Sequence, residues 1–86
     1  MHNFMGEFAD VKRNRLLKFL RKLDNQEGFI VDTSGNHQWI IKHKDWLRPY
    51  PISFNHNKLK SVYVKDILKR VSKISGISII ELKKWF

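Results

Sequence analysis

His37 is the residue of this chain best suited to acid–base chemistry, because it stands where a polar turn becomes an apolar run. The turn Ser34-Gly35-Asn36 precedes it, and the run Trp39-Ile40-Ile41 follows it. A histidine side chain can serve as a general base or a general acid near neutral pH. With a rigid strand behind it and an open turn before it, the imidazole would meet solvent or a ligand.

The charge balance indicates what kind of ligand this would be. Seventeen Lys and Arg residues against eight Asp and Glu residues give the chain a net charge of +9 and a pI near 10.1. Such an excess favours a polyanionic partner, with nucleic acid first and an anionic membrane or an acidic protein second. A basic surface kept for solubility is the alternative explanation.

RNA cleavage is a reaction that these residues could carry out without a cofactor. RNA supplies its own nucleophile, the 2′-hydroxyl group, and needs a base, an acid and positive charge near the phosphate. His37 could provide the base or the acid, and neighbouring cations could hold the phosphate. The alternative is that His37 only begins a strand and bonds a backbone carbonyl.

A second basic stretch, residues 55–73, is a candidate phosphate contact. Lys58 and Lys60 precede a predicted helix, whose N-terminal amide groups attract anions. Lys65 and Lys69 fall on the exposed face of that helix. A merely solvated helix face is the alternative.

Spacing and composition argue against other chemistries. His37 and His43 lie about 20 Å apart along a strand, and no carboxylate cluster accompanies them or His56, so we expect no metal site. The chain has no glycine-rich phosphate loop, so we expect no nucleotide cofactor. Asp32, Ser34 and His37 crowd one turn, which is poor geometry for a catalytic relay.

Two absences from the sequence bear on its compartment. The chain contains no cysteine, which excludes disulfides and thiolate sites. It also contains no apolar run of about 20 residues, so we expect no membrane span. Both features fit a cytoplasmic protein.

Three short strands are predicted around His37, and their connections are short enough for an antiparallel meander. They cover residues 29–31, 37–43 and 50–54. Pro51 places the third strand at a sheet edge. In the second strand, every other residue from His37 onward lies on one face of the sheet. Both faces of this strand carry apolar residues, so the alternation of side chains does not decide which face meets the helices. Trp46, in the loop that follows, either packs over the core or offers a stacking platform.

Helices are predicted before and after the strands in the sequence. The first runs from residue 11 to residue 23, with Asp10 or Asn14 as its N-cap. The second begins at Ser61, its predicted N-cap, and ends at Ser75-Gly76. A capping box, Ser78 to Glu81, begins a short last helix that reaches about residue 86. Because these helices can cover only one face of the sheet, we expect an α+β protein with an open second face and His37 near its rim.

Four short motifs follow one another through the chain. They are Leu16-Leu17-Lys18-Phe19-Leu20 with Gly28-Phe29, then Gly35-Asn36-His37, then Asn57-Lys58-Leu59-Lys60 with residues 64–69, and finally Gly76-Ile77-Ser78 with Glu81. In this order they resemble the HicA-type (YcfA-like) toxins of bacterial and archaeal toxin–antitoxin systems, with Asn36 in place of the usual serine. The resemblance divides the chain into an N-terminal extension, residues 1–13, and a single domain, residues 14–86.

The resemblance implies the dsRBD-like α-β-β-β-α fold of double-stranded-RNA-binding domains, followed here by the short C-terminal helix. It implies an mRNA interferase, an endoribonuclease that uses His37 as its catalytic residue and needs no metal or cofactor. Its expected partners are mRNA and a HicB-type antitoxin protein. We expect the RNA to be contacted by Gly35, Asn36, Lys42, Lys58, Lys60, Lys65 and Lys69. A non-catalytic RNA-binding module of the same fold is the alternative.

Overall fold

A computed structural model describes residues 9–53 and 57–86 of the 86-residue chain. The elements are β1 Val11–Lys12, α1 Arg13–Asp24, β2 Phe29–Asp32, β3 Gln38–His43, β4 Tyr50–Ser53, β5 Lys58–Leu59, α2 Ser61–Ser75 and α3 Ile79–Lys83. The predicted α+β class is therefore confirmed. Residues 1–8 of the predicted extension, the predicted strand end at Phe54, and His56 lie outside the described residues.

The strands β2, β3 and β4 form an antiparallel meander in that order, as the sequence predicts. Phe29 pairs with His43 between β2 and β3, and Trp39 pairs with Ile52 between β3 and β4. β4 is an edge strand, which suits Pro51 because proline has no N–H group to donate to a neighbouring strand.

One face of this sheet is buried and the other is open. Trp39 and Ile41 of β3 belong to one buried cluster with the apolar residues of the helices, whereas Lys42 is exposed and Ile30 is 64% exposed. The helix residues in the cluster are Leu16, Phe19, Leu20 and Leu23 of α1, Val64, Ile67, Leu68 and Val71 of α2, and Leu82 of α3. The helices thus cover one face, and it is the face of Trp39 that meets them.

The N-cap of α1 is neither of the two predicted residues, Asp10 and Asn14. The helix begins at Arg13, its N-cap is Lys12, and no side chain caps it. Val11 and Lys12 instead form an extended strand that pairs antiparallel with β5. The Arg13 N–H group then donates to the carbonyl oxygen of Asn57 at 2.8 Å. The predicted extension thus contributes residues to the folded domain. Val11, a β-branched residue that favours an extended conformation, packs against the hydrophobic core.

Asp10 caps the second helix and not the first. Its Oδ1 atom accepts a hydrogen bond from the Ser61 N–H group at 2.8 Å, and its Oδ2 atom lies 3.3 Å from Lys58 Nζ. The N-cap position of α2 is Lys60, whose side chain makes no capping bond, so the prediction of Ser61 as N-cap is wrong. The hydrogen bond from Ser61, followed by that from Lys58, lowers the pKa of Asp10 below its ordinary value of 3.8.

The end of the chain follows the predicted signals. α2 stops at Gly76, which adopts a left-handed conformation with φ 78°. Ser78 caps α3 by accepting a hydrogen bond from the Glu81 N–H group at 3.1 Å. The helix ends at Lys83 and not at Phe86, because the last residues turn back onto α1, where the Phe86 ring stacks on Phe19 with centroids 4.4 Å apart.

Across residues 9–53 and 57–86, no helix has the length and apolar character needed to cross a membrane.

Replacing Asp10 with asparagine should lower the melting temperature at pH 7, because the amide cannot pair with Lys58 and accepts more weakly from Ser61. Since the pKa of Asp10 is lowered by folding, its contribution is present above pH 3.8 and is lost as the pH falls through the lowered value.

Thermal unfolding of both proteins, followed by circular dichroism from pH 7 down to about pH 2, should show a gap that closes in acid. Asp45→Asn is the matched control, because the Asp45 carboxylate bonds no described residue. Equal melting temperatures for wild type and Asp10→Asn at pH 7 would disprove the capping role.

Candidate nucleic-acid interface

The turn that carries His37 is tied to the core by one side chain. The indole Nε1–H group of Trp39 donates to the carbonyl oxygen of Gly35 at 3.0 Å. Trp39 is only 3% exposed, so the donor is fixed by the surrounding core. His37 stands midway between the two bonded residues, which fixes the backbone on both sides of it.

Gly35 is needed here because of space. A Cβ atom at this position would collide with the backbone carbonyl oxygen of Gln38. The turn can therefore close in this form only with glycine two residues before His37.

The start of the turn is held by Asp32. Its Oδ1 atom accepts hydrogen bonds from the Ser34 N–H group at 2.9 Å and from the Ser34 hydroxyl group at 2.7 Å. These bonds, the hydroxyl bond first, lower the pKa of Asp32 below its ordinary value of 3.8. Because the Ser34 hydroxyl is a donor to Asp32, these residues form an Asx-type turn and not a Ser-His-Asp relay.

His37 itself is exposed, in a bend immediately before β3. Its side chain makes no hydrogen bond or ion pair with another described residue. No residue in the ranges 9–53 and 57–86 thus bonds either ring nitrogen, and an imidazole with open nitrogens can exchange protons with a bound substrate.

A basic groove is also lined by Trp39. It has a volume of about 760 Å³. Its lining residues are Lys12, Arg13, Asn14, Leu17, Arg21, Thr33, Trp39, Asn57 and Lys58. Four of these nine are cations and none is an acid, so the groove is suited to an anion.

Trp39 connects the groove to the turn. The guanidinium carbon of Arg13 lies 5.1 Å from the centre of the Trp39 ring, which is cation–π distance. The same indole bonds Gly35, and Thr33 of the turn also lines the groove. The groove and the turn of His37 are therefore neighbouring parts of one surface.

The structure separates the predicted RNA-binding residues into two groups. Lys58 lines the groove, Gly35 is bonded to Trp39, and exposed Asn36 adjoins His37. The other four, Lys42, Lys60, Lys65 and Lys69, are not part of the groove lining. Lys42 pairs with Ile30 near the far end of β3, about 16 Å from His37 along the strand.

The N-terminus of α2 is already occupied. The phosphate contact predicted there would need the Ser61 N–H group, which donates to Asp10, and Lys58, which pairs with the same carboxylate. A phosphate would have to displace Asp10, so this terminus is a weaker anion site than its sequence indicates.

His43 and Trp46, two other candidates from the sequence, have packing roles. His43 Nδ1 accepts a hydrogen bond from the Asp45 N–H group at 3.0 Å, and its ring meets Phe29 edge-on at 4.5 Å. Trp46 also contacts the Phe29 ring edge-on at 5.9 Å, so the packing alternative for Trp46 is confirmed. Across the described ranges, no group of three or more His, Asp or Glu residues could hold a metal ion.

Sequence reasoning missed most of the groove. Arg13, Leu17 and Arg21 recur every four residues, so their common helix face could have been found from the sequence. Lys12 and Asn57 come together only through the pairing of β1 with β5, for which two-residue strands give no periodic signal.

A scan against protein-family models found no matching family, and searches of curated proteins and of solved structures found no significant match.

Trp39→Phe should loosen the turn of His37, because phenylalanine retains an aromatic ring but has no donor for Gly35. We expect a loss of about 1 kcal/mol in unfolding free energy for the hydrogen bond alone. Amide hydrogen exchange at residues 35–38 should accelerate.

Trp46→Phe is the matched control, since it makes the same chemical change in the loop after β3. Equal exchange rates at residues 35–38 in the two variants would show that the indole bond does not hold the turn.

Proposed function

We propose that this protein is a HicA-type toxin, a metal-independent endoribonuclease that cleaves mRNA in the cytoplasm with His37. The observation that carries the proposal is the open imidazole of His37, held on a rigid turn beside a groove lined by four cations. The motif resemblance over residues 14–86 supports the same function. Net charge +9 fits a polyanionic substrate.

The proposed reaction is an internal transesterification. The 2′-hydroxyl oxygen attacks the adjacent phosphorus, the bond to the 5′-oxygen breaks, and the products are a 2′,3′-cyclic phosphate and a 5′-hydroxyl end. His37 removes the proton of the nucleophile or supplies the proton of the leaving oxygen. Cations of the groove stabilise the added negative charge on the phosphate in the transition state.

We also propose that the fold is dsRBD-like. The order of the longer elements, α1-β2-β3-β4-α2, supports this, together with the antiparallel meander and the helices on one of its faces. The β1–β5 ribbon and α3 would be additions to that arrangement.

A HicB-type antitoxin is the proposed protein partner, covering His37 and the basic surface. The support is electrostatic, because an acidic protein would compete with RNA for the same cations. A neighbouring reading frame that encodes a small acidic protein would be the simplest genetic support.

His37→Gln should abolish toxicity and lower the rate of RNA cleavage by about 100-fold or more, as expected for loss of acid–base catalysis. Total RNA and growth are followed after induction of each protein, and cleavage by the purified proteins is measured with a metal chelator present.

Because His37 is exposed, its substitution should not disturb the fold, and this can be checked on the same protein. The variant should retain the wild-type melting temperature and should bind RNA within about twofold of wild type. A wild-type protein that neither harms cells nor cleaves RNA would contradict the enzyme proposal, whereas a fully active His37→Gln would contradict the site.

The second candidate function is an RNA-binding module without catalysis. It is favoured by one observation: no second acid or base among the described residues is hydrogen-bonded to His37. Wild type would then bind RNA and leave it intact, and affinity would fall with rising salt but would not depend on His37.

A further inference from the structure

We propose that the basic groove is the path of a single-stranded RNA segment, gripped by Arg13 and Arg21 of α1 and by Lys12 of β1. The strand would then cross α1, and not the lysines of α2 that the sequence favours. The inference rests on the proposed function, because it assumes that RNA is the polyanion that reaches His37.

The cations of α1 are spaced to contact separate phosphates of one strand. Arg13 and Arg21 are eight residues apart on one helix, so their Cα atoms are separated by about 12 Å along its axis, with Leu17 between them. Two guanidinium groups at that distance can contact different phosphates of one strand, each through two parallel hydrogen bonds. Lys12 of β1 adds a third cation to the lining.

Lys58 contributes less to this grip. Its ammonium group already lies 3.3 Å from the Asp10 carboxylate, which offsets part of its charge. Lys12 and Arg21, by contrast, form no ion pair with a described residue and keep their charge toward the groove. They come from one short stretch, residues 12–21, that the sequence alone presents as a generally basic helix.

The groove also has the size and lining to hold part of a single strand. A volume of about 760 Å³ is within the range of pockets that hold one drug-sized ligand, which corresponds to one or two nucleotides. The lining combines the apolar side chain of Leu17 and the Trp39 indole with the polar groups of Asn14, Thr33 and Asn57. Such groups suit the Watson–Crick edges of bases, which an unpaired strand offers and a duplex withholds.

The groove is also continuous with the turn that carries His37. Thr33 lines the groove, and the Trp39 indole that also lines it bonds Gly35, two residues from His37. A strand that leaves the groove past Thr33 therefore meets the turn that carries the imidazole. By contrast, Lys69 of α2 stands outside the groove, so it serves as a comparison site.

The test measures affinity for a fluorescently labelled single-stranded RNA in the His37→Gln background, which keeps the RNA intact. Arg21→Gln and Lys12→Gln are compared with Lys18→Gln and Lys22→Gln, two exposed residues of α1 that are outside the groove. All four substitutions remove one positive charge, so a general electrostatic effect is the same for each. A further control, Lys69→Gln, reports on α2.

We expect Arg21→Gln and Lys12→Gln each to weaken binding about 5- to 10-fold and the three controls to stay within about twofold of their background. The slope of log K against log salt should become shallower by about 0.7 for each phosphate that a variant no longer neutralises. A duplex RNA of the same length should compete at least about 10-fold less well than the single strand.

The outcomes separate the two proposals. If the His37→Gln background binds no RNA, the proposed function fails, and the path fails with it. If it binds RNA but groove and control variants lose affinity equally, only the path is overturned. Equal competition by duplex RNA would overturn the assignment to a single strand.

Discussion

The bond from the buried Trp39 indole to the carbonyl oxygen of Gly35 is the contact on which the functional surface depends. Trp39 belongs to the core through its ring, to the groove through its contact with Arg13, and to the turn through its N–H group. Few side chains can fill these three roles together, because they require a large apolar surface, a π-face and a donor. The core therefore holds the turn of His37 in place through Trp39, although His37 itself is exposed.

The scarce acids of the chain are used to organise structure and leave the groove cationic. Asp10 caps α2 and pairs with Lys58, and Asp32 closes the turn before His37. Asp66 accepts from the Tyr50 hydroxyl at 2.7 Å and from Arg70 Nε at 3.2 Å; burial and this carboxylate raise the pKa of Tyr50 well above its ordinary value. None of these acids is among the residues that line the groove, so the charged side chains of its lining are all cations.

Much of the fold was predictable because its signals are local. The apolar period of α2, its stop at Gly76 and the Ser78 cap are each readable within one or two helical turns. The cap of α2 by Asp10 was not predictable, because the carboxylate comes from 51 residues earlier in the chain. The same limit applies to the site: the turn of His37 is local and was found, whereas the groove is assembled by the long-range pairing of β1 with β5 and was not.

The most direct measurement is a titration of the ¹⁵N-labelled His37→Gln protein with single-stranded RNA, observed at the three tryptophan indole N–H signals. Trp39 should shift progressively, because its N–H group bonds the turn and its ring borders the groove. Trp46 and Trp85, which do not line the groove, should keep their positions. A stationary Trp39 signal, with shifts confined to the amides of α2 around Lys65 and Lys69, would contradict a site built on the groove and the His37 turn.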